Sequence, residues 1–448
     1  MKKGKVDILQ GNINNVLFRL SLPMIYGFFS VIGVSLVDAY FIGMLGTEEL
    51  AAFGFVFPVI FTFNGLILGI GNGSSALVAR AYGAGDIPKA KRFTSDALIL
   101  GISLIFILSI IGLFTIEPLF KMLGAEGRIL ELVKSYMQIW YWGAVFVVFP
   151  MIGNSAMTAI GDTRTPSLIM LLVLVFNSIL DPILIIGALG FPKMGFAGAA
   201  LATVLSRIFV LFFSLYVLLV KDKILSLELP KLKELFLNWQ KILYIGLPNA
   251  ATNIIVPLGF GVITHISARF GNEAVAAIAV AERVESLSIT VVLALAVAMS
   301  PFVGQNLGAK NFQRIKEGLR KAYKFAILYG LAMMAFLVPF SGIIIKIFND
   351  DPRVAAYFAE YFYLVPISYG FFGIMFISSV TLNVYNKPFH SSMLTLTRVF
   401  FAYIPLALIL SNYYGMWGIY IAGFFANITA GVLAFYILRK QSRLVLVH

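Results

Sequence analysis

The chain alternates between long apolar stretches and short polar ones along its whole length. A helix needs roughly 20 apolar residues to cross the hydrocarbon core of a bilayer. Twelve stretches reach that length, so the pattern predicts an all-α integral membrane protein with twelve transmembrane helices. Several stretches exceed 25 residues, which predicts tilted or bent helices. The predicted spans are residues 17–45, 50–79, 93–116, 134–160, 165–189, 194–220, 242–270, 275–305, 322–348, 355–385, 390–412 and 414–438.

Composition supports a membrane protein and excludes several other classes. Of the 448 residues, 60% are hydrophobic and only 12% are charged, whereas a water-soluble domain carries roughly 25% charged residues. The net charge of +13 does not indicate nucleic acid as a partner, because the basic residues fall in short loops between apolar stretches. The chain has no cysteine, which excludes disulfides and thiolate metal sites. Membrane lipids are therefore the expected surroundings.

The distribution of Lys and Arg predicts the orientation in the membrane. Of the 34 basic residues, 24 fall on the side that carries both termini, seven on the opposite side, and three within spans. Positive loops remain in the cytoplasm, so both termini are predicted to be cytoplasmic. No cleavable targeting segment is predicted at the N-terminus. The expected location is the cell (inner) membrane, crossed many times.

The sequence also repeats itself. A shift of 225 residues, which drifts to about 220 further along, aligns the second half with the first. Each half has six spans, so the two halves have the same orientation and are related by an axis along the membrane normal. Two parallel six-helix lobes of this kind suit alternating access. The predicted organisation is an N-terminal six-helix lobe at 1–220, a charged cytoplasmic linker at 221–241 and a C-terminal six-helix lobe at 242–448. Matching segments include Leu22-Pro23 with Leu247-Pro248, Gly83-Ala84 with Gly308-Ala309, and Gly195–Gly198 with Gly415–Gly418.

Polar residues inside the first-half spans predict a cation site. A charged side chain near the bilayer centre costs about 2.5–3.5 kcal/mol, so such residues are functional candidates. Asp38 in span 1 and Asp181 in span 5 are expected about 10–12 Å below the outer surface. Asn177 shares a helix face with Asp181, and Thr203 of span 6 is expected at a similar depth. Their oxygens could bind Na+, and the two carboxyl groups could instead bind H+.

A structural role is the alternative for this group, with the two aspartates pairing with Arg207 or capping bent helices. The repeat argues against it. The second-half equivalents of Asp38, Asp181 and Asn177 are Ile263, Ile404 and Phe400. A requirement of the scaffold should recur in both halves, so the carboxylates are predicted to be a specialised feature of the first.

A second acidic group occurs in span 8. Glu282 and Glu285 lie on one helix face, whereas Arg283 points elsewhere. The functional hypothesis is that they border a substrate cleft or take part in ion coupling in the second lobe. The alternative is local neutralisation by Arg283. No P-loop lysine follows the glycines near Gly71, and no catalytic motif is present, so an ATP-driven pump or an enzyme is not predicted.

Several motifs resemble the multidrug and toxic compound extrusion (MATE) family. The match covers nearly the whole chain, and some of its segments are similar to the DinF-like branch in particular. The segments that carry the resemblance are Pro301–Asn311, Ala79–Asp86, Leu36–Asp38, Asn177–Pro182, Gly195–Thr203, Asn154–Thr163 and Arg283–Glu285.

The resemblance implies a V-shaped pair of lobes around a central cleft, a monomer that exports small organic cations and drugs in exchange for H+ or Na+. It implies ion coupling at Asp38, Asn177, Asp181 and Thr203, with Asn154 as a further member. Bending of span 1 at Pro23 would expel the substrate. A lipid-linked saccharide flippase of the wider superfamily is the nearest alternative, although only three Arg lie within spans. A membrane-embedded enzyme or receptor is the alternative from another class.

Overall fold

The computed structural model describes residues 6–226, 228, 231–348 and 351–447, with side chains as far as residue 443. Residues 1–5, whose lysines enter the predicted charge bias, lie outside this part of the chain, as do three residues of the predicted linker. The described residues are helical apart from short connections. The twelve predicted transmembrane helices are confirmed as α1 (Ile13–Gly43), α2 (Thr47–Gly83), α3 (Ile87–Met122), α4 (Gly127–Ala159), α5 (Arg164–Ile186), α6 (Phe196–Lys221), α7 (Leu232–Ala268), α8 (Asn272–Gly308), α9 (Phe312–Lys346), α10 (Pro352–Val384), α11 (Pro388–Tyr414) and α12 (Met416–Arg443).

The chain divides into two compact units, whose boundary differs from the predicted linker. The first unit has Leu22–Ala250 as its main part, and the second comprises Asp7–Ser21 and Ala251–His448. The opening turns of α1 therefore belong to the second unit, and the opening turns of α7 belong to the first. Both changes of unit fall beside the repeat-related prolines Pro23 and Pro248.

In the first unit α4 is the central helix, and it packs against α2, α3 and α6. It carries the fully buried side chain of Tyr141. In the second unit the equivalent α10 packs against α8, α9 and α12. Most of the protein's large exposed side chains are apolar, as expected for a surface that faces lipid rather than water.

A repeated glycine motif joins the last two helices of each half. Gly195–Gly198 begins α6, and a Cβ at Gly198 would collide with the carbonyl oxygen of Leu184 in α5. In the second half a Cβ at Gly418 would collide with the carbonyl group of Leu410 in α11. The repeat seen in the sequence therefore corresponds to the same close helix approach in both units.

The segments that precede α7 and α1 are each held by hydrogen bonds. Before α7, Arg92 of α3 donates to the carbonyl oxygen of Glu228 (3.0 Å) and pairs with Asp96 (2.7 Å). The buried Asp96 also accepts from the amide of Asn238 (2.8 Å). Before α1, Arg314 of α9 donates to the carbonyl oxygens of Ile8 (3.0 Å) and Gly11. Each segment is thus attached to the third helix of the opposite half.

A clasp at the end of α6 connects it to the loop between α4 and α5. The carboxylate of Asp162 caps α5 by accepting from the backbone N–H (3.0 Å) and hydroxyl (2.6 Å) of Thr165. Lys221 donates to Asp162 (3.0 Å) and to the Thr165 hydroxyl (2.7 Å). Burial raises the pKa of Asp162, but the bonds from Thr165 and the charge of Lys221 outweigh it and leave that pKa below its usual value.

This clasp gives a testable pH dependence. Because the folded-state pKa of Asp162 is lowered, its stabilisation is present above the unfolded pKa of about 4 and is lost as the pH falls through the lowered value. Asp162→Asn should therefore lower the free energy of unfolding by about 1–2 kcal/mol at pH 7, and by progressively less below pH 4. Thermal unfolding in detergent measures this difference. Glu131→Gln is the control, because Glu131 belongs to an exposed ion pair; an equal loss at all pH values would contradict the prediction.

Candidate ion site of the first unit

Three polar side chains predicted from the sequence converge between α1 and α5. The two helices run in the same direction, with Gly27 against Met170 and Gly33 against Leu174. The next turns bring the carboxyl group of Asp38 close to the side chains of Asn177 and Asp181, and it interacts with both. The Asn177 amide also donates to Asp181 (3.3 Å). One helical turn separates Asn177 from Asp181, as the spacing predicts.

The group is buried and incompletely satisfied. Asn177 and Asp181 have no exposed surface. One oxygen of each side chain, Asp38 Oδ1, Asn177 Oδ1 and Asp181 Oδ2, is buried without a hydrogen-bond partner. Unpaired buried acceptors of this kind are costly in a low-dielectric environment. Three converging acceptors, two of them from carboxyl groups, provide the chemistry that binds a proton or a small cation.

Three further side chains complete the site. Tyr136 of α4 is buried beside the two aspartates and interacts with Thr203 of α6. Tyr136 therefore connects Thr203 with the carboxyl pair. Arg207, one turn further along α6, interacts electrostatically with Asp38, and its Nε is buried without a partner. The site thus combines two carboxyl groups with one guanidinium.

The sequence interpretation did not single out Tyr136. The 225-residue shift pairs Tyr136 with Tyr361, so the repeat contained a signal that could have identified it. The sequence also predicts that the two aspartates of the first half have apolar equivalents in the second half. Ile263, the equivalent of Asp38, is a buried core residue of the second unit, and Ile404 packs against the same core.

Asn154 and Pro23 lie apart from this group. Asn154 and Tyr136 are 18 residues apart on α4, which corresponds to about 27 Å along a helix. Asn154 is buried, with its Oδ1 unpaired, but the structure does not bring it to the other four predicted residues. Pro23 lies inside the continuous helix α1, near the change of compact unit.

The second acidic group has its own partners in the second unit. Glu285 accepts a hydrogen bond from Tyr361 and interacts electrostatically with Arg398 of α11. Glu282, one turn earlier, is half-buried beside it. Arg283 is exposed, and the positive charge that acts on Glu285 is that of Arg398. Among the described residues, no group of three or more His, Cys, Asp or Glu is placed to hold a metal ion.

Comparison with known proteins gives a consistent result. The MatE family matches residues 23–183 and 248–409, one copy in each half and offset by the 225-residue shift. A protein of Shewanella oneidensis named FAD transporter is 37% identical over 98% of this chain and 97% of its own length. The probable multidrug resistance protein YoeA of Bacillus subtilis is 29% identical over 85% of this chain and 84% of its own. A crystal structure of the Vibrio cholerae MATE transporter VcmN superposes with a TM-score of 0.92 at 27% identity, covering 97% of this chain and 99% of that one.

The fold and the sequence therefore define a multi-pass membrane transporter made of two related six-helix halves, and not an enzyme. The chain belongs to the MatE family, the family of the MATE multidrug efflux transporters.

Proposed function

We propose that the protein is a secondary active exporter that exchanges small organic compounds for H+ or Na+ through Asp38, Asn177 and Asp181. The observation that carries this proposal is the set of three buried, unpaired oxygens, one from each of these side chains. Two adjacent carboxyl groups cannot both stay ionised in a buried site unless a proton or cation neutralises them. Binding and release of that ion would change the charge between α1 and α5 during each cycle.

The direct interaction of the two buried carboxyl groups, Asp38 with Asp181, supports H+ as the coupling ion. A proton held between them would remove one of two like charges. The positive charge of Arg207 beside Asp38 also disfavours an additional metal cation. Na+ is the alternative, with Thr203 as a further ligand. Transport measured under a pH gradient and then under a Na+ gradient distinguishes the two ions.

Ion binding would drive the transport step through α1. Neutralisation of the carboxyl pair would let α1 bend near Pro23 and expel the substrate outward. An elementary charge that crosses the membrane supplies about 2.3 kcal/mol per 100 mV. This is enough to shift an equilibrium between two states that differ by a few kcal/mol. With both termini in the cytoplasm of a cell (inner) membrane and the protein acting as a monomer, this direction corresponds to efflux.

Two substrate classes merit direct comparison. Several relatives are named multidrug resistance or multidrug export proteins, which supports organic cations and drugs. The 37% identical relative is named FAD transporter, which supports flavin nucleotides as the second candidate. A lipid-linked saccharide, the substrate of the flippase alternative, is a third compound to include in the comparison. Affiliation with the DinF-like branch stays a prediction.

Transport by the purified protein in liposomes tests the proposal. Efflux of ethidium, as a cationic probe, and of FAD should be measured under an imposed pH gradient and then under an imposed Na+ gradient. We expect the pH gradient alone to accelerate efflux. Acceleration by the Na+ gradient alone would show Na+ coupling, and an equal rate with and without either gradient would contradict ion-coupled export.

A further inference from the structure

The second unit contains a buried cluster of charged and aromatic side chains that the ion site does not explain. Glu282 and Glu285 come from α8, Tyr361 from α10, and Arg398 from α11. Glu285 is bound by the Tyr361 hydroxyl and balanced by the charge of Arg398. A carboxylate within a transmembrane helix bundle is energetically costly, so it is a candidate for a functional role.

Arg398 is fixed by contacts on several sides. Its guanidinium lies 4.9 Å from the ring centroid of Phe372 and 5.9 Å from that of Phe260. It donates to the Asn427 amide oxygen (3.2 Å), and Asn427 in turn donates to Ser368 (2.9 Å). The residue is only 7% exposed, yet its Nε has no hydrogen-bond partner. Arg398 is therefore held in place without being fully satisfied.

Local helix irregularity brings these groups together. Thr397–Tyr403, which contains Arg398, is a π-helical segment of α11, and Val365–Ser368 is a 3-10 segment of α10. Such segments re-aim side chains and occur often at functional sites. Tyr369 follows the 3-10 segment, is 1% exposed, has an unpaired hydroxyl and lies in the electrostatic field of Glu285.

The charge of the cluster indicates which ligand it suits. The cluster contains two carboxyl groups and one guanidinium, so it carries one excess negative charge when all three groups are ionised. Tyr361, Tyr369 and Tyr403 surround Glu285, and aromatic rings attract cations through their negative faces. An anionic group bound at Arg398 would instead be repelled by Glu282 and Glu285.

We propose that Glu285 binds the positively charged group of the transported organic compound, and that Arg398 is the internal cation with which this group competes. The proposal rests on the export of organic compounds and adds a substrate site in the second unit. When the substrate ammonium or other cationic centre binds, it contacts Glu285 directly and displaces the electrostatic influence of Arg398. When it leaves, the charge of Arg398 again offsets that of Glu285.

The repeat supports a division of labour between the halves. Tyr136 and Tyr361 are repeat-related, and each lies beside a carboxyl group of its own unit. In the first unit the carboxyl pair has unpaired oxygens suited to a small ion. In the second unit the carboxylate is balanced by a side chain of the protein, surrounded by aromatic rings. The repeat-related positions around Tyr136 and Tyr361 thus suit an inorganic ion in the first half and an organic cation in the second.

Equilibrium binding of ethidium to the full-length protein in lipid nanodiscs, measured by fluorescence anisotropy, tests this inference. Glu285→Gln can still accept the hydrogen bond from Tyr361, and it should weaken binding by about tenfold or more. Arg398→Gln removes the competitor and should strengthen binding by about tenfold. Opposite effects from the two charged residues are not expected if their electrostatic interaction is only structural.

Two further variants serve as controls. Arg398→Lys keeps the positive charge and should bind ethidium with nearly unchanged affinity. This variant can still be measured if Arg398→Gln does not fold. Glu360, on α10, is also a half-buried acid, but it interacts with Trp417 rather than Arg398. Glu360→Gln should therefore leave the affinity for ethidium unchanged.

Three results would overturn the inference. These are no change in any variant, equal weakening by Glu285→Gln and Arg398→Gln, or FAD binding that is lost in Arg398→Gln and strengthened in Glu285→Gln. The last result would identify an anion site. Because the assay contains no ion gradient, it does not depend on coupling at Asp38, so failure of one proposal is distinguishable from failure of the other.

Discussion

Replacing Asp38 by Asn should reduce gradient-driven efflux to the rate of protein-free liposomes. Asn has the same shape but cannot take up a proton, so the pair with Asp181 loses its exchangeable charge. Asn can keep the polar contacts with Asn177 and Asp181, and we therefore expect normal expression and thermal stability. Ethidium efflux under an imposed pH gradient measures the effect directly.

Glu48→Gln is the matched control for this experiment. Glu48 is an exposed acid in the first turn of α2, so its removal changes the net charge equally without touching the site. It should transport at the wild-type rate. Wild-type efflux by Asp38→Asn, with Glu48→Gln as reference, would exclude Asp38 as the coupling residue.

Replacing Gly69 by Val should destabilise the first unit strongly. A Cβ at Gly69 would lie 2.5 Å from the carbonyl oxygen of Gly246 and 2.6 Å from the Cβ of Ala250, so α2 and α7 would have to separate. Overpacking of this kind costs about 1–3 kcal/mol, and more where backbone atoms oppose each other. Small residues permit such close approach of transmembrane helices. We expect a lower midpoint of thermal unfolding and less monodisperse protein after detergent extraction.

Gly54 provides the control in the same helix. A Cβ there would meet no atom within 4 Å, so Gly54→Val should leave the thermal midpoint nearly unchanged. If both substitutions lowered the midpoint equally, loss of glycine in α2 rather than contact with α7 would explain the effect.

The convergence of Asp38, Asn177 and Asp181 could be predicted from the sequence because much of it follows from local spacing. Asn177 and Asp181 are four residues apart and share a helix face whatever the helix packs against. Asp38 could be added because charged residues are rare within spans and the charge bias gives its approximate depth. The spans themselves were predictable for the same reason, since lipid permits few alternatives to a helix.

The remaining features depend on packing between distant parts of the chain. Glu285 accepts a hydrogen bond from Tyr361 and feels the charge of Arg398, both on other helices, whereas the sequence offered the nearby Arg283, which is exposed. The π-helical segment that carries Arg398 has no signal in the hydrophobic pattern. Asn154 belongs to one of the family-like motifs but lies far from the ion-site residues. The order of motifs along the chain does not give the depth of each residue along its helix.

The exchange of opening turns between α1 and α7 has a consequence for the origin of the protein. Each compact unit is completed by a segment from the other half of the chain, held before α7 by Arg92 and before α1 by Arg314. A single half, translated alone, would lack part of its own unit. If the two halves arose from duplication of one gene, a product of the single gene would complete its fold by exchanging the opening turns of its first helix with a second copy, as in domain swapping. Gene fusion would make this exchange permanent within one chain.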